Sequence, residues 1–74
     1  MRAFVLITVE VGQVREVRNH LIAEGIPEVA VVAGSYDLVA ILQADEPQQV
    51  AQAVLDVIQR AEGVRDTVTL MQLE

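Results

Sequence analysis

The 74-residue sequence has no cysteine and no tryptophan, and only one histidine, one phenylalanine and one tyrosine. Without cysteine there can be no disulfide and no thiolate metal site, and His20 alone cannot furnish the imidazole ligands of a zinc centre. Basic residues are also few, five against eleven acids, for a net charge of −6. Arg2, Arg15, Arg18, Arg60 and Arg65 cannot be assembled into the basic stripe that a nucleic-acid binder needs, so no direct nucleic-acid partner is expected. Long hydrophobic runs are missing as well. Ala3 to Ile7 follows Arg2, but Glu10 ends the run far short of a membrane span, and no small-residue cleavage site follows it. The expectation is a soluble, cytoplasmic protein with no membrane partner. Catalytic chemistry has no footing either, because no nucleophile is paired with a base, no carboxylates need converge, and no Gly-rich phosphate loop is present. Asp45-Glu46 stands at a helix start, where the macrodipole favours carboxylates and capping explains them. No cofactor is implied.

Aliphatic residues are what the chain has in quantity, with 53% of its residues hydrophobic. A domain of this size buries only ~60% of its unfolded surface, and small domains need some added source of stability. With disulfides and metals excluded, oligomerisation remains, and it would also use side chains for which the interior has no room.

Hydrophobic periodicity divides residues 1–74 into six elements of a single domain. Phe4 to Val9 alternates as a strand, with Ala3, Val5, Ile7 and Val9 on one side and Phe4 and Leu6 on the other. Gly12 ends it, and from Gln13 to Glu24 the period becomes helical, with Val14, Val17, Leu21 and Ile22 in a stripe. Gly25 and Pro27 stop that helix. Val29 to Ala33 and Leu38 to Leu42 are short, β-branched runs and read as strands. Asp45 offers an N-cap with Gln48 three residues later, and Pro47 is tolerated in a first turn. Val50, Ala51, Val54, Val57, Ile58 and Ala61 form the next helical stripe, which Gly63 closes. Val64 to Leu73 is a last strand, with Val68 and Leu70 expected on a core face and Thr67, Thr69, Met71 and Leu73 on the other.

Strand, helix, strand, strand, helix, strand, with right-handed crossovers, predicts an α+β fold. It is a ferredoxin-like βαββαβ sandwich, a four-stranded antiparallel sheet with both helices on one face. The other face would then carry Phe4, Leu6 and one set from Leu38 to Leu42, an exposed apolar patch on the order of several hundred Å2. At ~25 cal/mol per Å2 such a patch calls for a cover, most simply a second copy of the chain. Recognition of RNA on that face would need stacking aromatics, and only Phe4 is available.

Between the two middle strands lies Ala33-Gly34-Ser35-Tyr36-Asp37-Leu38. Gly34 takes positive φ at no steric cost, and Gly-Ser suits a tight hairpin turn. Such a turn sets a hydroxyl, a phenol and a carboxylate together at the end of the sheet. From the residues alone this is either a hairpin tip whose Asp37 bonds its own backbone or a ligand-binding corner.

The run Val32-Ala33-Gly34-Ser35-Tyr36-Asp37-Leu38, a helix ending in Ala61-Glu62-Gly63-Val64 and a closing Thr67-Val68-Thr69-Leu70 together resemble the effector-binding domain of the leucine-responsive regulator and AsnC (Lrp/AsnC) transcription factors. The resemblance covers nearly the whole chain. It implies sheet-packed dimers, rings of dimers, and a small effector, typically an amino acid, at contacts between dimers. It also implies that Gly34, Ser35, Tyr36 and Asp37 line the effector pocket, with Thr67 and Thr69 helping from the last strand. Backbone N–H groups at a glycine turn and threonine hydroxyls can hold an α-carboxylate, and Asp37 can accept from an α-ammonium. The helix-turn-helix usual in the family is missing ahead of the first strand, so the likeness is to the stand-alone form, able to co-assemble with full-length regulators. Two alternatives share the fold. One is an ACT-like amino-acid sensor using Gly12 between first strand and first helix. The other is a purely structural oligomerisation module.

Overall fold

Alternation in the first apolar stretch builds the strand against which everything else packs. In a computed structural model that describes every residue from Met1 to Glu74, β1 spans Arg2–Val9. Ala3, Val5, Ile7 and Val9 are buried, and Phe4, Leu6 and Thr8 are half-buried on the opposite side. The period then switches to that of a helix, and α1 (Val14–Ala23) turns Val17 and Leu21 into the core. It is followed by β2 (Glu28–Val31), β3 (Leu38–Gln43), α2 (Pro47–Ala53), a π-helical turn (Val54–Ile58) and β4 (Val64–Met71). The strands lie in the order β2-β3-β1-β4, every neighbour antiparallel. Val17 and Leu21 of α1, Val50 of α2, and Val54 and Ile58 of the π turn share one hydrophobic cluster with Ala3, Val5, Ile7, Leu38, Ala40 and Leu42. Both helical segments therefore cover the same side of the sheet, and the ferredoxin-like arrangement expected from the element order is the one observed.

Register makes the uncovered side explicit. Across β2, β3, β1 and β4, Glu28, Ile41, Phe4 and Leu70 form one row, and Ala30, Val39, Leu6 and Val68 form the next. Seven of these eight side chains are apolar.

Four local expectations are corrected. The hairpin is not a tight turn: β2 ends at Val31, and the Val32 N–H donates to the Asp37 carbonyl at 3.0 Å, which leaves Ala33, Gly34, Ser35 and Tyr36 as the loop. The cap of α2 is Glu46 rather than Asp45, and Gln49 rather than Gln48 reaches back, its Oε1 accepting from the amides of Asp45 (2.8 Å) and Glu46 (3.2 Å). The second helix is not uniformly α. Residues four apart drift by ~40° around an α-helix, and a wider turn, with the Gln59 N–H donating to the Val54 carbonyl at 2.8 Å, takes up that drift. Val50, Val54, Ile58 and Ala61 thereby stay inward, while Ala51 is exposed and Val57 half-buried. Finally, the faces of β4 are exchanged. Val68 and Leu70 stand opposite Leu6 and Phe4 on the open face, and Thr67 and Thr69 stand opposite Ile7 and Val5 on the helix side. As an edge strand β4 lies at the margin of the helical layer, so its apolar positions follow the open face instead of the core.

Candidate functional site

The loop between β2 and β3 is fixed at one residue. Gly34 holds φ +140°, a conformation that side-chain-bearing residues rarely adopt. The chain then returns to the sheet through Asp37, whose backbone N–H donates to the Ile7 carbonyl at 2.9 Å and whose carbonyl takes the Val32 N–H. Its carboxylate does something that the loop sequence does not announce. Oδ2 accepts from the backbone N–H of Val9 at 2.9 Å, tying the loop to the last residue of β1. Asp37 therefore bonds neither its own backbone nor a side chain, and Oδ1 has no hydrogen bond within the chain. Gly34 and Ser35 are exposed, and Tyr36 and Asp37 are half-buried. A rigid corner results, with a hydroxyl, a phenol and half a carboxylate at its surface.

Thr67 and Thr69 do not join this group. Ile7 pairs with Leu38 on one side and Thr67 on the other, so β1 lies between the loop and β4. Two strand spacings separate them, ~10 Å. The Thr67 Oγ1 accepts from Gln59 Nε2 at 3.0 Å, and Thr69 is exposed two residues farther along the edge. A hollow of about 350 Å3 beside Thr67 is bounded by Gln59, Val64, Arg65 and Asp66. The largest hollow, about 510 Å3, opens at the other end of the sheet between Met1, Ile26, Leu42 and Gln49. No hollow on the single chain is lined by Gly34, Ser35, Tyr36 or Asp37, nor by Gly12. The loop thus stands at the surface of the single chain with no hollow of its own.

Two contributors escaped the sequence. The Val9 amide, like any backbone donor, carries no side-chain signature. Gln59 reads as one more polar residue on the outer side of a helical stripe, although its N–H closes the wide turn and its side chain reaches Thr67.

Comparison with known proteins agrees with this architecture. Residues 2–74 match the Lrp/AsnC ligand binding domain. The chain belongs to that family. The family is defined by ligand binding and not by a catalysed reaction. Among solved structures, TTHA0845 from Thermus thermophilus is 31% identical with a TM-score of 0.90, the match covering 99% of this chain and 92% of that one. The hypothetical protein PHS023 from Pyrococcus horikoshii is 32% identical with a TM-score of 0.80, covering 99% and 90%. The transcriptional regulator NMB0573 from Neisseria meningitidis, solved as an L-Met complex, matches with a TM-score of 0.76 at 20% identity, which shows the shared fold. That match covers 99% of this chain and 49% of the regulator, so the domain spans about half the regulator's length. No curated protein gives a match. None of the chain's helices is long and apolar enough to cross a membrane.

Proposed function

We propose that this domain binds an amino-acid effector at the β2–β3 loop and that the second wall of the site comes from a neighbouring dimer. The observation that carries the reading is the Asp37 clamp. Three hydrogen bonds fix the residue against Ile7, Val9 and Val32, while Oδ1, the Ser35 hydroxyl and the Tyr36 phenol remain free at the surface. A prearranged polar corner outside every hollow of the single chain suits a ligand sandwiched between subunits. An α-ammonium would sit against Oδ1, where a charge-assisted bond is available, and an α-carboxylate would take the exposed amides around Gly34. The amino-acid class is supported by family membership and by the L-Met bound to the related fold of the Neisseria regulator. The role is regulatory: effector occupancy alters how dimers associate, in homomeric rings or in mixed assemblies with full-length regulators. We restrict the effector contact to Gly34, Ser35, Tyr36 and Asp37. Within the chain β1 separates them from Thr67 and Thr69, two strand spacings or ~10 Å away.

The same reading places dimer formation on the open sheet face, through Phe4, Leu6, Val39, Ile41 and the row that continues them on β4. An ACT-like site at Gly12 has no hollow to support it. A purely structural oligomerisation module keeps the assembly and dispenses with the effector.

Thermal denaturation in the presence of each of the twenty amino acids tests the proposal. A ligand at 100 times its Kd adds ~2.7 kcal/mol, enough for a shift of several degrees in a domain of this size. At least one amino acid is expected to raise Tm at millimolar concentration. Twenty flat responses from an assembled protein would leave the structural module as the surviving reading.

A further inference from the structure

The sheet's two edges are finished differently. β2 is four residues long, follows Pro27 and begins with Glu28, and its outward-facing Val29 carbonyl accepts from Arg18 Nε at 3.2 Å. That edge is short, charged and capped by a side chain from α1, the usual means of preventing strand addition. β4 is eight residues long, contains no proline, and carries only Arg65 and Asp66 as charges, both near its start.

The ladder shows which groups of β4 are spare. The Gln72 N–H donates to the Arg2 carbonyl at 2.8 Å, and antiparallel bonds recur at every second residue. Leu70 and Val68 therefore bond β1, and the backbone N–H and C=O of Thr67, Thr69 and Met71 point away from the sheet. Beside this edge an apolar hollow of about 300 Å3 is bounded by Val50, Ala51, Val54, Leu55, Thr69 and Met71, with Leu55 58% exposed.

We infer that the β4 edge pairs with the β4 edge of a second copy, antiparallel across a two-fold axis at Val68, so that two four-stranded sheets become one of eight strands. Three observations select a second copy as the occupant. The spare backbone groups of Thr67 and Thr69 are self-complementary in that register, Thr67 of each chain facing Thr69 of the other. Gln59 donates to the Thr67 oxygen, which leaves the hydroxyl proton free for the facing threonine, and such cross-strand pairs are favourable. A two-fold normal to the sheet also keeps both open faces on one side. Val68 (41% exposed) and Leu70 (49%) then stop being the margin of the apolar surface and become its centre. No like charges meet, since Asp66 faces Leu70. This seam is independent of effector binding and distinct from the face-to-face contact, with which it is geometrically compatible: perpendicular two-folds would generate a tetramer with the apolar surface enclosed.

Because the chain has no cysteine, Val68→Cys supplies a single thiol whose only disulfide is between chains. In the inferred register the two Val68 positions form a non-hydrogen-bonded pair with Cα atoms ~4.5 Å apart, inside the disulfide range. Mild oxidation of V68C is expected to give a covalent dimer. Adding Thr69→Pro removes an outward donor without breaking a bond to β1, and should cut the cross-linking rate about tenfold or more. Adding Thr67→Lys with Thr69→Lys sets like charges opposite each other and should have the same effect, whereas Thr67→Lys with Thr69→Glu pairs opposite charges and should restore linking. No covalent dimer from V68C overturns the inference. So does linking that is indifferent to all these substitutions, which would assign the contact to face-to-face packing. If Thr69→Pro fails to fold by circular dichroism, the Lys/Lys and Lys/Glu variants decide alone.

Discussion

Asp37 holds the Val9 amide with Oδ2 and leaves Oδ1 to solvent, and these two atoms can be separated by substitution. Asp37→Ala removes both, leaving a part-buried N–H without its charged acceptor, which costs ~1–3 kcal/mol of stability by equilibrium denaturation. Asp37→Asn keeps an oxygen for Val9, so most of that stability is retained, but it offers no charge to an α-ammonium. Titration of the Asn variant with whichever amino acid raises the wild-type Tm should show affinity at least about tenfold lower. An Asn variant that binds normally would make Asp37 a loop fastener only. The glycine at position 34 and the polar trio after it were legible as a special corner because their residue types are informative. Which atom Asp37 would grip was not, since every strand residue offers the same N–H, and a hairpin aspartate most often bonds locally.

Secondary-structure elements show the same division between pattern and placement. Asp45/Gln48 and Glu46/Gln49 both have the three-residue spacing of a capping box, so spacing alone could not choose between them. Pro47 could have chosen: proline is favoured at the first helical position, which makes Glu46 the cap. Gln49 then satisfies two amides with one oxygen, and Gln49→Ala should lower stability by ~0.5–2 kcal/mol, read as a fall in the urea midpoint at unchanged m-value. Gln48→Ala, one residue off the cap, should change it by less than ~0.5 kcal/mol. The alternation of β4 was equally clear, but alternation defines two faces without naming them. For a central strand the core decides, as it does for Val5 and Ile7. For β4 at the edge the helices cover too little, and the apolar set went to the side where Phe4 and Leu6 already stood.

For the molecule as a whole, what remains is that open side. Covering one sheet face uses the odd residues of β1 and the even residues of β3, and the alternate set, Phe4, Leu6, Val39 and Ile41, is half-buried in the single chain. This surplus was foreseeable from composition, because a 74-residue chain cannot enclose so many aliphatic side chains. Leu6 sits in the middle of the patch, with Val39 on one side and Val68 on the other, and contributes nothing to the buried cluster. Leu6→Asp should therefore leave the monomer's fold intact by circular dichroism while placing a carboxylate at the centre of any face-to-face contact, where an unpaired charge costs several kcal/mol. Wild-type protein is expected to scatter light as at least twice its 8.1 kDa at micromolar concentration, and the Asp variant as a smaller species. Wild type at 8.1 kDa would end the case for a sheet-packed dimer. An Asp variant that remains dimeric would show that the β4 edge alone can hold two chains together, since Leu6 lies one strand in from that seam and its side chain would meet solvent there.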